Sequence, residues 1–200
     1  MTSVTTVVQS MGVAFAAGIN LPATVAVLGI ADRAGWIAPL PGPLHALSSV
    51  WIIALASVFY VMEFLVTLIP GVSSVWETAQ SLVRPPAAAL LAAATAVHLD
   101  DPVALAAAGI LGGGLALTTH GTKLGLRYAV DTSPEPVTNG AANMAELATV
   151  STIAIFIWNH PYITLSLSIL LLILLILLVR RIIKTLRSLL RGEWKRKIPT

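Results

Sequence analysis

Eighteen consecutive residues, Tyr162 to Val179 (YITLSLSILLLILLILLV), carry no charge, and eight Lys and Arg residues crowd the stretch from Arg180 to Lys197 directly after them. A chain with this feature has few folds open to it. A helix rises about 1.5 Å per residue, so roughly 20 apolar residues cross the hydrocarbon of a bilayer. One or two residues added at either end bring the run to that length. Cations massed just beyond such a run belong at the cytoplasmic membrane surface. Composition agrees: 56% of the 200 residues are hydrophobic and only 10% are charged, against about 25% charged in a soluble domain. So few charges could not cover the surface of a water-soluble fold, whereas lipid tolerates the balance.

The other apolar segments predict further crossings. Val7 to Ala31 is interrupted by Gly18-Ile19-Asn20-Leu21-Pro22. Proline removes a backbone donor and disfavours helix in the residue before it, which predicts a kinked helix or two half-helices with exposed backbone between them. Ala14-Phe15-Ala16 resembles a signal cleavage site, but the first cationic side chain is Arg33. Without a basic start the segment is expected to be retained. Pro39 to Pro43 is a turn-rich loop, and Leu44 to Ile69 is a long span with His45 near its start and Glu63 near its end. Val72 to Val83 is mixed in polarity and reads as a short interfacial helix capped by Ser73 or Ser74. Ala87 to Leu99 is short and alanine-rich. Asp100-Asp101-Pro102 is a turn with a helix start. In Val103 to Thr118, Gly109 and Gly113 have the spacing of a small-residue packing face. A polar stretch through Asp131 and Ser133-Pro134-Glu135-Pro136 follows, then a span over Ala141 to Trp158 and a turn at Asn159-His160-Pro161.

The predicted fold is all-α: a polytopic transmembrane helical bundle of about six membrane-crossing elements over residues 1–180, with the first helix broken. A basic amphipathic cytoplasmic tail, 181–200, follows. There Arg180, Lys184, Arg187 and Arg191 recur at helical spacing among Ile and Leu residues. With the C-terminus inside, six crossings place the N-terminus inside, Arg84, Lys123 and Arg127 on the cytoplasmic side, and Asp100 and Asp101 outside. Only Arg33 falls on the disfavoured side. Three elements precede Asp100 and three follow, a 3+3 division in which Glu63 and Glu146 each sit in the second element. Both acids fall near the cytoplasmic end, which strict inversion of the halves would not produce.

The chain has no cysteine, which excludes disulfides, iron–sulfur clusters, thiolate zinc sites and cysteine nucleophiles. It carries no phosphate-binding loop, nucleophile elbow or HExxH pair. His98-Leu99-Asp100-Asp101 is a weak metal pattern, and His45 and His160 read as interfacial. No metal, cofactor or catalytic set is assigned, and an enzyme is not expected. Nucleic acid is not expected either, because the cations adjoin a membrane span and Trp194 is the only aromatic in the tail.

Six residues stand out as a substrate- or ion-binding set: Asn20, Glu63, His120, Lys123, Arg127 and Glu146. Glu63 lies inside a span, in VFYVMEFLVTLI, where an ionised carboxylate facing lipid costs several kcal/mol. It needs a partner, a water-filled cavity or a proton. Glu146 is similar, and Lys123 and Arg127, four apart on one helical face, are the candidate partners of both acids. These pairs read either as structural ion pairs that lock helices or as a proton or cation site. Asn20 adjoins the broken first helix, where freed backbone groups coordinate an ion unless a neighbouring helix satisfies them. His120, Lys123 and Arg127 read as a phosphate or headgroup site, or as an ordinary cytoplasmic basic loop.

Several of these segments form an ordered set: AAGINLPAT at Ala16 to Thr24, YVMEF at Tyr60 to Phe64, IPGVSSVWE at Ile69 to Glu77, VRPPA at Val83 to Ala87, HGTKLGLR at His120 to Arg127, SPEPVTN at Ser133 to Asn139, and the region of Glu146. Together they resemble the bacterial integral-membrane proteins catalogued as domain of unknown function 4126, over about Ala16 to Pro161. The family pattern has an acidic-basic pair where this chain has Thr67 and Leu68, an Asp where Ser73 stands, and a second acid where Leu147 stands. The resemblance implies a polytopic membrane protein and no established activity.

The functional expectation is a small channel or transporter that moves an ion or small solute through the polar site. The alternative is a non-catalytic membrane scaffold or accessory subunit. A lipid-modifying enzyme using His120 with Glu63 or Glu146 is a third class that no spacing favours. Expected partners are the bilayer, anionic headgroups at the tail, a small ion or solute, and further copies of the chain. The expected location is the bacterial cytoplasmic (inner) membrane.

Overall fold

The computed structural model describes residues 3–99, 101–131 and 136–190. Asp100, residues 132–135 of the polar stretch, and tail residues 191–200 lie outside the described residues. Every regular element among those described is helical: α1 (Ser3–Ile19), α2 (Leu21–Arg33), a 3-10 segment (Gly42–Ser48), α3 (Val50–Thr67), α4 (Val72–Gln80), α5 (Arg84–Ala96), α6 (Pro102–Val130), α7 (Pro136–Asn159) and α8 (Pro161–Leu190). Four stretches are long and apolar enough to cross a membrane: Val50–Thr67, Pro102–Val130, Val137–Asn159 and Pro161–Thr185. Large apolar side chains face outward along them, among them Trp51, Ile110, Leu117, Leu167 and Leu174. The polar groups lie inside. That inversion relative to a soluble fold is what lipid demands.

The first hydrophobic segment is two helices rather than one kinked helix. Asn20 leaves helical geometry, with φ −151° and ψ 103°, and its side chain accepts from the Ala23 N–H at 2.9 Å to cap α2. Pro22 sits in the first turn of α2, where its missing N–H costs nothing. The carbonyl of Ile19, last residue of α1, is thereby left for other donors.

Helix α1 is the hub. It packs against α5, α6, α7 and α8, and it is buried on all sides from Gly12 to Ile19. Ala88, Ala92 and Ala96 recur every four residues on α5 and are buried, and Ala88 and Ala92 meet Ala14, Ala17 and Ala116 in one alanine-lined cluster. The predicted small-residue face of α6 is used here, with Gly112 closer in than Gly109. A Cβ on Gly112 would lie 2.4 Å from the Ala92 Cβ and 3.2 Å from the Ala14 Cβ. Gly112→Val is therefore expected to force α1, α5 and α6 apart at a cost of about 1–3 kcal/mol. Thermal unfolding in detergent would register this as a lowered midpoint, whereas Gly114→Val, which meets nothing within 4 Å, should leave packing intact.

The span expected from Leu44 begins only at Val50, after the 3-10 segment, and two further elements differ from the sequence expectation. The span predicted to end at Thr118 continues without a break, so α6 has 29 residues and reaches about 43 Å at ~1.5 Å per residue. His120, Lys123 and Arg127 thus stand on the inward face of a long helix, not in a loop. The second of these is α4. Its polar face points inward, with Ser73, Ser74 and Glu77 buried, while Val72 and Val75 are exposed. Neither serine caps it. Gly71, at φ +81°, occupies the cap position and turns the chain sharply out of α3, a conformation that L side chains rarely adopt.

Candidate functional site

The breaks, the inverted α4 and the lengthened α6 bring charged residues from five helices to one place. Lys123 of α6 is the centre. Its Nζ lies 2.8 Å from Glu77 Oε1 of α4, 2.8 Å from Glu146 Oε2 of α7 and 3.3 Å from Glu63 Oε1 of α3. It also donates to the Ile19 carbonyl at 2.8 Å. Arg84 of α5 forms the deep side. Its Nη2 is 2.5 Å from Glu63 Oε1 and its Nη1 is 2.6 Å from Glu77 Oε2, with Arg84 and Glu77 both 0% exposed. The same Nη1 donates to the Ile19 carbonyl at 3.1 Å. Two cations therefore meet the negative C-terminal end of α1, an arrangement the helix dipole favours. Arg127 forms the other side, with Nη2 2.7 Å from Glu146 Oε1.

Asn20 joins this set as well as capping α2, since its Nδ2 donates to Glu63 Oε1 at 2.7 Å. One asparagine thus fixes the helix break and orients an acid. His120 sits between Arg84, whose Nη1 is 3.4 Å from Nδ1, and Ser81, whose Oγ is 2.9 Å from Nε2. An Nδ1 that accepts from Arg84 leaves the ring proton on Nε2, donated to Ser81. With the ring neutral, three carboxylates (Glu63, Glu77, Glu146) balance three cations (Arg84, Lys123, Arg127) among the described residues. In a medium of low dielectric this equality matters more than any one pair, because each uncompensated charge costs several kcal/mol.

All six residues of the predicted set converge here. The sequence reading missed Glu77 and Arg84, which it placed at an interface and in a cytoplasmic loop. It also missed Asn143, whose Nδ2 donates to Thr67 Oγ1 at 2.9 Å and to the Phe64 carbonyl at 3.2 Å, while its Oδ1 accepts from Arg127 Nη2. The one signal, Ser73, Ser74 and Glu77 on one helical face at spacings of three and four, fits an interfacial helix equally well. His98, in the weak metal pattern, lies 3.4 Å from Thr6 Oγ1 instead. His45 is exposed and pairs with Asp32 at 3.0 Å.

Beside the cluster, Asp131 ties α6 to α4. It accepts from Ser73 Oγ at 2.6 Å, from the Ser74 N–H at 3.2 Å and from Ser74 Oγ. Burial pushes its carboxyl up, but the hydroxyls of Ser73 and Ser74 and the Gly71 backbone outweigh this and hold it below the ordinary carboxylate value. A carboxylate whose folded pKa is lowered stabilises the fold fully above its unfolded value of about 3.9, and the contribution is lost as pH falls through the folded value. Thermal midpoints measured from pH 7 downward should therefore fall below about pH 4 in the native protein. The Asp131→Asn variant should begin lower and lack that component of the fall.

One edge of the cluster opens onto a cavity of about 350 Å³ between α6, α7 and α8, lined by Lys123, Arg127 and Glu146 at its polar end and by Leu126, Val130 and Leu172 beyond. The Glu146 side chain is 16% exposed there. A second cavity, about 650 Å³ between α7 and α8, shares Thr149 and Leu171 with the first. No curated protein and no solved structure matches the chain. A family model does match, that of Domain of unknown function (DUF4126), over residues 7–181. With its helical bundle and these residues inside the matched region, the chain belongs to the DUF4126 family.

Proposed function

We propose that the protein is a small channel or transporter that moves an ion or small solute through this polar site and catalyses no reaction. The observation that carries the reading is the balanced ionic cluster, whose Lys123–Arg127–Glu146 edge lines a cavity while its Arg84–Glu77 side is sealed. An intramembrane ionisable group is a functional-site hypothesis by default. The same reading takes α1–α2 and the short α5 as completing six crossings, with the C-terminus in the cytoplasm, Arg180, Arg181 and Lys184 against anionic headgroups, and the bacterial inner membrane as the location. Copies of the chain associate through its apolar faces.

Flux of K⁺, Na⁺, Cl⁻ and H⁺ through proteoliposomes tests this. Native protein is expected to conduct or exchange at least one of them, and Glu146→Gln to lower that flux at least about tenfold, a change of ~1.4 kcal/mol in barrier. Equal flux from the two proteins would count against the site.

A scaffold or accessory subunit is the second reading, favoured by the complete burial and pairing of Arg84 with Glu77. It predicts no flux from native protein under any of these gradients and a stable partner in pull-downs.

A further inference from the structure

We infer that the polar end of the α6–α7–α8 cavity binds a carboxylate-headed amphiphile together with one proton, which Glu146 accepts. This rests on the transport reading of the same site and names its substrate class.

The two oxygens of Glu146 bridge Lys123 Nζ at 2.8 Å and Arg127 Nη2 at 2.7 Å. A cationic fork of this shape fits a carboxylate, and the chain's own carboxylate fills it. Glu146 is also the most exposed of the three, at 16% against 6% for Lys123 and 2% for Arg127. It is the group that a molecule entering from the cavity meets first. Among the described residues Arg127 Nε, buried, meets no acceptor, so the fork has a donor to spare.

Charge balance sets the stoichiometry. Three acids already match three cations, so a lone anion would leave one excess negative charge among apolar helices, and a lone cation one excess positive charge. Either costs several kcal/mol. An anion that enters with a proton leaves the balance intact. The Glu146 carboxylate takes the proton and becomes a neutral acid, an O–H bond forms, and the incoming carboxylate takes over Lys123 and Arg127. No bond in the ligand breaks. Among the described residues, the charged and titratable groups around Glu146 are Lys123 and Arg127 from α6, Glu63 and Tyr60 from α3, Glu77 from α4 and Arg84 from α5. The α1 and α8 residues that line the cavity are uncharged.

The tail follows from the remaining lining, where Leu126, Val130, Leu171 and Leu175 give an apolar wall. The adjoining 650 Å³ cavity extends it along α7 and α8. Both volumes fall in the range of about 300–1,000 Å³ usual for small-molecule sites. An inorganic anion would satisfy the fork and leave that wall unused.

The test is calorimetric titration of the full chain in detergent with octanoate, at pH 7, in two buffers of different ionisation enthalpy, with empty micelles subtracted. Native protein is expected to bind octanoate with uptake of about one proton per molecule, and to bind acetate, octanol and octylammonium at least about tenfold more weakly. Glu146→Gln, which leaves the fork unoccupied by an anion, is expected to bind octanoate with no proton uptake. Ala145→Phe, at an exposed position on the cavity wall, is expected to weaken octanoate at least about tenfold with an unchanged thermal midpoint. Octanoate binding to native protein without proton uptake, equal binding of octanol, or no octanoate binding would each overturn the inference. Ion flux that persists while octanoate fails to bind overturns the inference and leaves transport standing. Proton-coupled octanoate binding without flux of any solute retains the site and removes transport.

Discussion

Replacing Arg84 by methionine is expected to lower stability by about 3–5 kcal/mol, the usual result when one partner of a buried pair is removed. At roughly 2–4 °C per kcal/mol for a chain of this size, the thermal midpoint in detergent should fall by roughly 6–20 °C. The size of the effect follows from what Arg84 serves. It is wholly buried, and its two terminal nitrogens reach Glu63, Glu77 and the end of α1. Methionine fills much of the volume and satisfies none of these groups. It leaves Lys123 as the one described cation still in reach of Glu63 and Glu77, with Glu77 wholly buried. An Arg84→Lys variant should recover only part of the loss, because one ammonium cannot copy the fork that spans α3, α4 and α1. A midpoint within about 2 °C of native for Arg84→Met would mean that the pair is not formed as described.

Lys123→Met is the second large expected effect, toward the lower end of the same ~3–5 kcal/mol range. Lys123 holds acids from three helices and the Ile19 carbonyl, as many partners as Arg84 meets in Glu63, Glu77, Ile19 and His120. Two features soften the loss. Arg84 still reaches Ile19, Glu63 and Glu77, and Glu146 at the cavity edge can draw water or a proton. Unfolding of Lys123→Met should therefore depend on pH more steeply than that of native protein, with the variant recovering part of its stability as pH falls and the stranded acids are neutralised. A variant whose deficit is the same at pH 5 and pH 8 would contradict this.

Much of the fold could be read from the chain because lipid imposes blunt rules. The uncharged run at Tyr162 to Val179 became α8, Pro70-Gly71 ended α3, and the Gly18 to Pro22 interruption became a break at Asn20. Glu63 and Glu146 were legible for the same reason, since a charge inside an apolar segment must be met by something, and Lys123 and Arg127 followed as the cations available to meet them. Glu77 and Arg84 were not, because each lies in a short segment of mixed polarity. In such a segment a polar stripe turned toward water and one turned toward an ionic core look alike. Tertiary packing decides between them: α4 puts Val72 and Val75 outward and Glu77 inward, the reverse of an interfacial helix. The length of α6 was hidden likewise. His120, Lys123 and Arg127 gave the second half of the helix the look of a loop, although all three lie on its inward face. Balance between three acids and three cations could be counted only once Glu77 and Arg84 were in place.

That balance is most directly tested by pairing Lys123→Met with Glu146→Gln. The double variant returns the cluster to two acids and two cations. Its thermal midpoint is expected to lie above that of Lys123→Met alone, with a coupling of about 1–3 kcal/mol between the two sites. A double variant whose losses simply add would contradict the claim that these six charges act as one neutral unit.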